Sequence, residues 1–474
     1  MQNFPRIVVG ATHSGAGKTT VAGALMAALT AAGLKVQPFK VGPDYIDPGY
    51  HSAATGRVCR NLDTWLMGED GVRECFRRAA CDADISVIEG VMGLYDGHAH
   101  TGLGSTAHVA RLLDAPVLLV VDARSLARSV AALVLGYRQF DPGVNLAGVI
   151  LNRTGSDRHR TLLQRAVQEE VGLPVVGTLG REAAIALPER HLGLLPAVER
   201  GHLGDFMRHL ADLGRQLDLA TIGRLAASGG PPASPGRIVF PADHLSRVVR
   251  LGVARDHAFN FYYQDSLDLL ASLGAELVEV SPVAGELDPD LDALYLGGGF
   301  PEMFAAELAA NREFLAVLRR LYAGGLPLYA ECGGLMYLSR SLTGLDGTVY
   351  SMAGLVAGEA VMGTRRAALG YVTATVLADN LLAPAGTVLA GHEFHYSSYQ
   401  EEGRGSPAYR LSGAAAPDAR LEGVVAPHLL ASYVHLHFVS CPDRARSFLA
   451  RARSYRWLRE GRPGCLDPVG GWRS

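Results

Sequence analysis

The chain has 474 residues, 48% of them hydrophobic and 19% charged, with a formal net charge of −3. That much apolar material excludes a disordered chain, and a prior of about 150 residues per domain gives two or three domains. No run approaches the ~18 apolar residues that cross a bilayer, and no global excess of cations invites a nucleic-acid backbone, so neither is an expected partner. The N-terminus, MQNFPRIVVGATHSGAGKTT, reads as a first strand and a glycine loop rather than a signal peptide. Cysteines stand at 59, 75, 81, 332, 441 and 465 with no Cys-x-x-Cys pair. Reduced thiols and a cytoplasmic location follow, and five of the six are read as buried small hydrophobes.

In chain order, RIVVGA (6–11), VQPFK, DISVIEG (84–90), PVLLVVD (116–122), LAGVILN (146–152) and PVVGTL (174–179) are short apolar runs of the kind buried on both faces of a sheet. Helix-period segments lie between them at 19–33, ending near Gly33, at 105–114 and at 124–137. This alternation predicts a parallel sheet clothed by helices, the α/β class, over residues 1–225. AASGGPPASPG begins an expected linker, 226–248, and a second α/β pattern follows over 249–445. Within it, about 340–430 is expected to include antiparallel strands, and ASYVHLHF (431–438) to form one more strand. Residues 446–474 read as a basic, solvated tail.

Between the first strand and first helix runs THSGAGKT, Thr12 to Thr19. A strand, glycine loop and helix N-terminus aim several N–H groups at one spot, which suits phosphates. Thr12, Ser14, Gly15, Ala16, Gly17, Lys18 and Thr19 are therefore candidate ATP contacts. Lys18 would reach the β/γ-phosphates and the Thr19 hydroxyl would ligate Mg²⁺. The first glycine of the usual pattern is replaced by Thr12, and His13 stands where DNA-partitioning ATPases carry a second lysine. GPDYIDP (42–48) and IEGVMGLYDG (88–97) follow predicted strands, so Asp44, Asp47, Glu89 and Asp96 are expected at the same sheet edge as Lys18. Glu89 is the candidate Mg²⁺ partner of Thr19, Asp44 and Asp47 are candidate catalytic acids, and Asp96 would serve substrate or metal. The competing reading is that these aspartates only shape turns.

PLYAECGGLMYL places Cys332 at a strand-to-helix turn with Gly333 and Gly334 beside it. A nucleophile on a sharp turn needs small neighbours, and a helix N-terminus is expected to lower its pKa. His435 is the candidate base, with His437 expected on the same face of its strand. Gly298, Gly299 and Gly333 are candidate oxyanion-hole donors. GHEFHYS holds two further histidines, for which metal ligation is an alternative.

SGAGKTT, FKVGPDYIDP, NLDTWLM, IEGVMGLYDG, RHLGLLP, ARDHAFNFYY, LYLGGGFPE, AECGGLMYL, GHEFHYS and YVHLHF, in that order, make the sequence resemble the cobyrinate a,c-diamide synthase family over nearly its whole length. The resemblance implies a dethiobiotin-synthetase-like P-loop domain joined to a class I glutamine amidotransferase domain. It further implies that Cys332 releases ammonia from glutamine. ATP would activate the a and c acetate carboxylates of a corrinoid, cobyrinate, as acyl-phosphates, with Mg²⁺ as cofactor and a shielded route for ammonia. A homodimer is compatible with it. Class I enzymes commonly place Glu two residues after the catalytic His, and here His437 holds that place. Rival readings within the class are a hydrogenobyrinate or nickel-sirohydrochlorin diamidating enzyme and a cobyric acid synthase. Outside it stand a P-loop regulatory ATPase with a vestigial thiol domain and a non-catalytic corrinoid carrier.

Overall fold

The buried apolar runs of the first half lie side by side as β1 (Arg6–Ala11), β2 (Val36–Val41), β3 (Arg60–Leu62), β4 (Ile85–Glu89), β5 (Val117–Asp122), β6 (Leu146–Thr154) and β7 (Val175–Gly180). They form one parallel sheet of seven strands in the order β3-β2-β4-β1-β5-β6-β7. The structure is a computed structural model that describes residues 4–98, 101–180, 189–190, 193–194, 203–242, 248–401, 406–413 and 416–461. It divides into two units, Met1–Ile238 and Val239–Ser474.

In the first unit the helices are α1 (Lys18–Ala31), α2 (Asp47–Thr55), α3 (Gly68–Ala80), α4 (Thr106–Leu112), α5 (Ser129–Phe140), α6 (Asp157–Val171), α7 (Leu203–Gly214) and α8 (Leu219–Ala227). Ile7, Val9 and Ala11 alternate along β1 toward a core that includes Val21 and Leu25 of α1 and Phe206 and Leu210 of α7. Because β4 is inserted between β1 and β2, the loops leaving these three strands open side by side, the usual place for a ligand in such a sheet.

The six strands expected here all form, each within two residues of its expected ends. β3, α2, α3, α6, α7 and α8 were not anticipated. Three residues are too few to show a period, and α2 opens on Asp-Pro and contains Gly49, which imitates a turn although Pro is at home in a first helical turn. α5 begins at Ser129, not 124. Most of RHLGLLP lies outside the described residues. The stretch after α8, expected as a linker, is held against the first unit through its backbone: Arg6 donates to the Gly230 carbonyl (2.5 Å), Arg77 to that of Pro232 (3.1 Å), and the Gly236 N–H to Asp70 (2.8 Å). A Gly/Pro segment has few side chains to pack, but its carbonyls and the glycine N–H groups still hydrogen-bond.

In the second unit, strands Ala275–Val280, Val249–Ala254, Ala293–Leu296, Leu328–Glu331 and Leu429–Ser432 run parallel. Ala416–Ala426, Ser406–Gly413, Ala368–Val376, Val388–His395 and His435–Leu436 extend the sheet antiparallel. ASYVHLHF is therefore not one strand. It pairs at Leu429–Ser432, breaks at Tyr433, pairs elsewhere at His435–Leu436 and enters a short 3-10 turn at Phe438–Ser440. The start of the basic tail is a helix, Pro442–Arg459, that buries Ala445, Phe448, Leu449 and Ala452 against this unit. Arg459 pairs with the buried Asp292 (3.0 Å). The solvated-face expectation overlooked that these apolar residues recur every three to four positions among the arginines. The residues beyond Gly461, Cys465 among them, lie outside the described set.

Candidate active site

At the end of β1 the chain turns through a loop in which Gly15 and Gly17 have φ of 80° and 99°. A side chain at Gly17 would also strike the Asn152 amide, which donates to the Ala16 carbonyl (2.9 Å) and pins the loop to β6. Ser14 and Gly15 are exposed, whereas Lys18 is buried and its ammonium donates to the Met92 carbonyl (2.5 Å). Burial, then the neighbouring Lys40, lowers the Lys18 pKa.

The Thr19 hydroxyl donates to Glu89 Oε1 (2.7 Å) and lies 3.4 Å from Asp47 Oδ2. Glu89 Oε2 is held by His51 Nε2 at 2.5 Å. Lys40 lies 3.5 Å from Asp47 and 4.0 Å from Asp44, with its ammonium on the Gly90 carbonyl (3.1 Å). Burial would raise the pKa of Glu89, but Lys40 and the bonds from His51 and Thr19 hold it down to about 2. Asp47 goes the other way: burial, Asp44 and Glu89 push it well above the usual carboxylate range despite Lys40. Asp44 also accepts from the Ile46 and Asp47 N–H groups (2.7 and 3.2 Å), and Asp96 from that of Gly93 (2.9 Å). Both thus shape turns as well as facing the site.

The structure thereby gathers Lys18, Thr19, Asp44, Asp47 and Glu89 around one point. Hollows of about 610 Å³, lined by Thr12, His13, Asp122 and Tyr137, and about 420 Å³, lined by Ser14, Met92, Tyr95, Asp96 and Phe140, flank the loop. The Thr19 hydroxyl and the neighbouring carboxylate oxygens are a fitting donor set for a hard cation such as Mg²⁺. Sequence reasoning missed Lys40 and His51. Lys40 was visible as a charge inside the apolar strand VQPFKV; His51 carried no signal.

In the second unit, Cys332 ends strand Leu328–Glu331 with φ 48° and ψ −102°, a conformation outside the comfortable regions for any side chain. Its N–H donates to the Ser432 carbonyl (2.7 Å), and helix Gly333–Leu338 starts beside it. A Cβ on Gly333 would sit 3.2 Å from the Gly299 nitrogen, and one on Gly298 2.6 Å from His435 Cε1. Cys332, Gly298, Gly299, Gly333 and His435 therefore share one platform at the carboxyl ends of the parallel strands. Burial pushes the Cys332 thiol up, with Glu302 adding to it and only the Gly333 N–H opposing. The expectation of a lowered pKa is thus corrected, since a six-residue helix does not outweigh a side chain 5% exposed.

His437 is turned elsewhere: its ring stacks on Tyr263 (4.7 Å) and its Nδ1 accepts from the Val439 N–H (3.3 Å). His392 stacks on His435 (4.9 Å) and meets the Tyr263 hydroxyl (2.6 Å); His395 stacks on Tyr433 (3.8 Å). No group of three or more His, Cys, Asp or Glu suited to a metal occurs among the described residues, and the two GHEFHYS histidines stack on neighbouring rings.

Residues 7–195 match the CobQ/CobB/MinD/ParA nucleotide binding domain, and residues 250–442 the CobB/CobQ-like glutamine amidotransferase domain. The chain is 45% identical over 460 residues to a cobyrinate a,c-diamide synthase of Dehalococcoides mccartyi (strain CBDB1), covering 96% of this chain and 99% of the relative. It is 44% identical to that of Priestia megaterium (95% and 97% covered) and 47% identical to that of Syntrophotalea carbinolica (94% and 98%). The chain belongs to the cobyrinate a,c-diamide synthase family. As a member it is a glutamine-dependent ligase, with a nucleotide-binding domain and an amidotransferase domain in one polypeptide. No described helix is long and apolar enough to cross a membrane.

Proposed function

We propose that this family member converts the a and c acetate carboxylates of cobyrinate to amides, using ATP and glutamine. The observation that carries the reading is the pairing of a phosphate loop lined by Lys18, Thr19 and Glu89 with a buried Cys332 elbow beside His435.

In the second unit His435 takes the Cys332 proton as sulfur bonds to the side-chain amide carbon of glutamine. The N–H groups of Gly299 and Gly333 receive the developing oxyanion. His435 returns the proton to nitrogen, the C–N bond breaks, ammonia leaves, and water then hydrolyses the thioester. In the first unit a substrate carboxylate attacks the γ-phosphorus of ATP, releasing ADP, and ammonia displaces phosphate from the acyl-phosphate. Lys18 and the loop N–H groups stabilise the transferring phosphoryl group, and Asp47, with its raised affinity for a proton, accepts one from the incoming ammonia. Thr19 and Glu89 would hold Mg²⁺, which would offset phosphate charge. Six cysteines spread over 474 residues with no Cys-x-x-Cys pair support a cytoplasmic location.

The test is an assay with ATP, Mg²⁺ and glutamine against cobalt-containing and metal-free rings, read by product mass. Two amide groups gained on the cobalt ring are expected. Gain on the metal-free ring alone would reassign the substrate, and gain on neither would overturn the reading.

A further inference from the structure

The residue before the nucleophile, Glu331, is a carboxylate with 1% exposure inside an otherwise apolar strand, LYAE. Burying a charge is costly unless hydrogen bonds replace its water, and here four are present. The hydroxyls of Tyr329 (2.5 Å) and Tyr295 (3.0 Å) and the Leu436 N–H (3.0 Å) donate to it, and His435 Nδ1 lies 3.3 Å from its Oε2. Two of the four partners, His435 and Leu436, come from the segment that carries the expected base. No lysine or arginine is within ion-pair distance of it among the described pairs.

We infer that Glu331 is the positioning residue of the glutaminase pair, holding the imidazole of His435 with Nδ1 protonated and Nε2 free to accept the thiol proton. This rests on Cys332 and His435 acting on glutamine as proposed above. A neutral imidazole carries one ring proton, and an acceptor fixed at Nδ1 decides which nitrogen keeps it. The same carboxylate stabilises the imidazolium that forms when the thiol proton moves, and its Leu436 bond locks the backbone next to the ring. The sequence position two residues after His435 is then free for another use, and His437 spends its Nδ1 on the Val439 N–H. One residue at the end of a strand thus both precedes the nucleophile and orients its base. This ties the two catalytic groups by a single peptide bond instead of through a side chain on the histidine's own segment.

The test uses the full chain. Glu331→Gln keeps an oxygen for the Leu436 N–H but presents an amide to Nδ1, favouring the other tautomer. Glutamine hydrolysis is expected to lose ~10²–10⁴ in kcat, the scale seen when an orienting carboxylate becomes an amide, with KM for glutamine within about threefold. Glu331→Asp, a carboxylate set back by one methylene, is expected to fall between the two. Amidation driven by added ammonium chloride stays at the unmodified level in both. Wild-type kcat in Glu331→Gln, or an Asp variant no better than the Gln variant, overturns the inference. Should Glu331→Gln fail to fold, wild-type kcat in Glu331→Asp overturns it instead. Cys332→Ala, run alongside, separates the two ideas. If it still hydrolyses glutamine the underlying reading fails; if it is dead while Glu331→Gln is fully active, only the role of Glu331 does.

Discussion

The two sites handle charge in opposite ways. Around the phosphate loop, two buried lysines face three or four carboxylates, pKa values move in both directions, and Ser14 and Gly15 stand open to solvent. Around Cys332 almost everything is buried, the carboxylate against His435 is satisfied by the protein itself, and burial with the nearby Glu302 favours the thiol. The first site is poised for a highly charged ligand, and the second for a small neutral amide.

Removing the nucleophile breaks the contrast most sharply. Cys332→Ala is expected to lose glutamine-dependent amidation by ~10⁴-fold or more while ammonia-dependent amidation persists, measured as amide formation with each nitrogen source. Lys18→Ala should lose both activities by ~10³-fold, because its charge serves the step they share. Glu89→Gln should lower both by ~10²-fold and raise the Mg²⁺ concentration needed for half-maximal rate. Gly298→Ala would push a methyl into His435 Cε1, and a misplacement near 1 Å costs ~10–100-fold in glutaminase kcat alone.

The smallest effect concerns stability. Burial and Glu393 raise Glu422 to about 7. An acid with a raised folded pKa binds its proton more tightly folded than unfolded. Stability is therefore highest below the unfolded value and declines as pH rises from about 4.5 to about 7, by at most ~3 kcal/mol. Urea titrations at pH 5 and 8 should show that decline, and Glu422→Gln should flatten it.

Legibility followed the same division. The phosphate loop was readable because its glycines, Lys18 and Thr19 are consecutive and sit between a strand and a helix with clear periods. Cys332 and the glycine turn were readable as local elbows. What escaped was contact across the sheet. Lys40 and Glu331 are charges inside apolar strands, which a composition scan sees but cannot assign a partner. The break at Tyr433 was hidden because apolar and aromatic residues continue straight through it; only the neighbouring strand Val388–His395 decides where His435 pairs. The sign of the thiol shift depended on burial, which is a property of the whole unit.

The resting state of Cys332 bears on durability. Peroxides and alkylating agents react with ionised sulfur, and a proton retained at 332 leaves them little to attack between turnovers. Protection lapses only while a bound amide and the imidazole draw that proton away, so exposure to damage scales with turnover rather than with time.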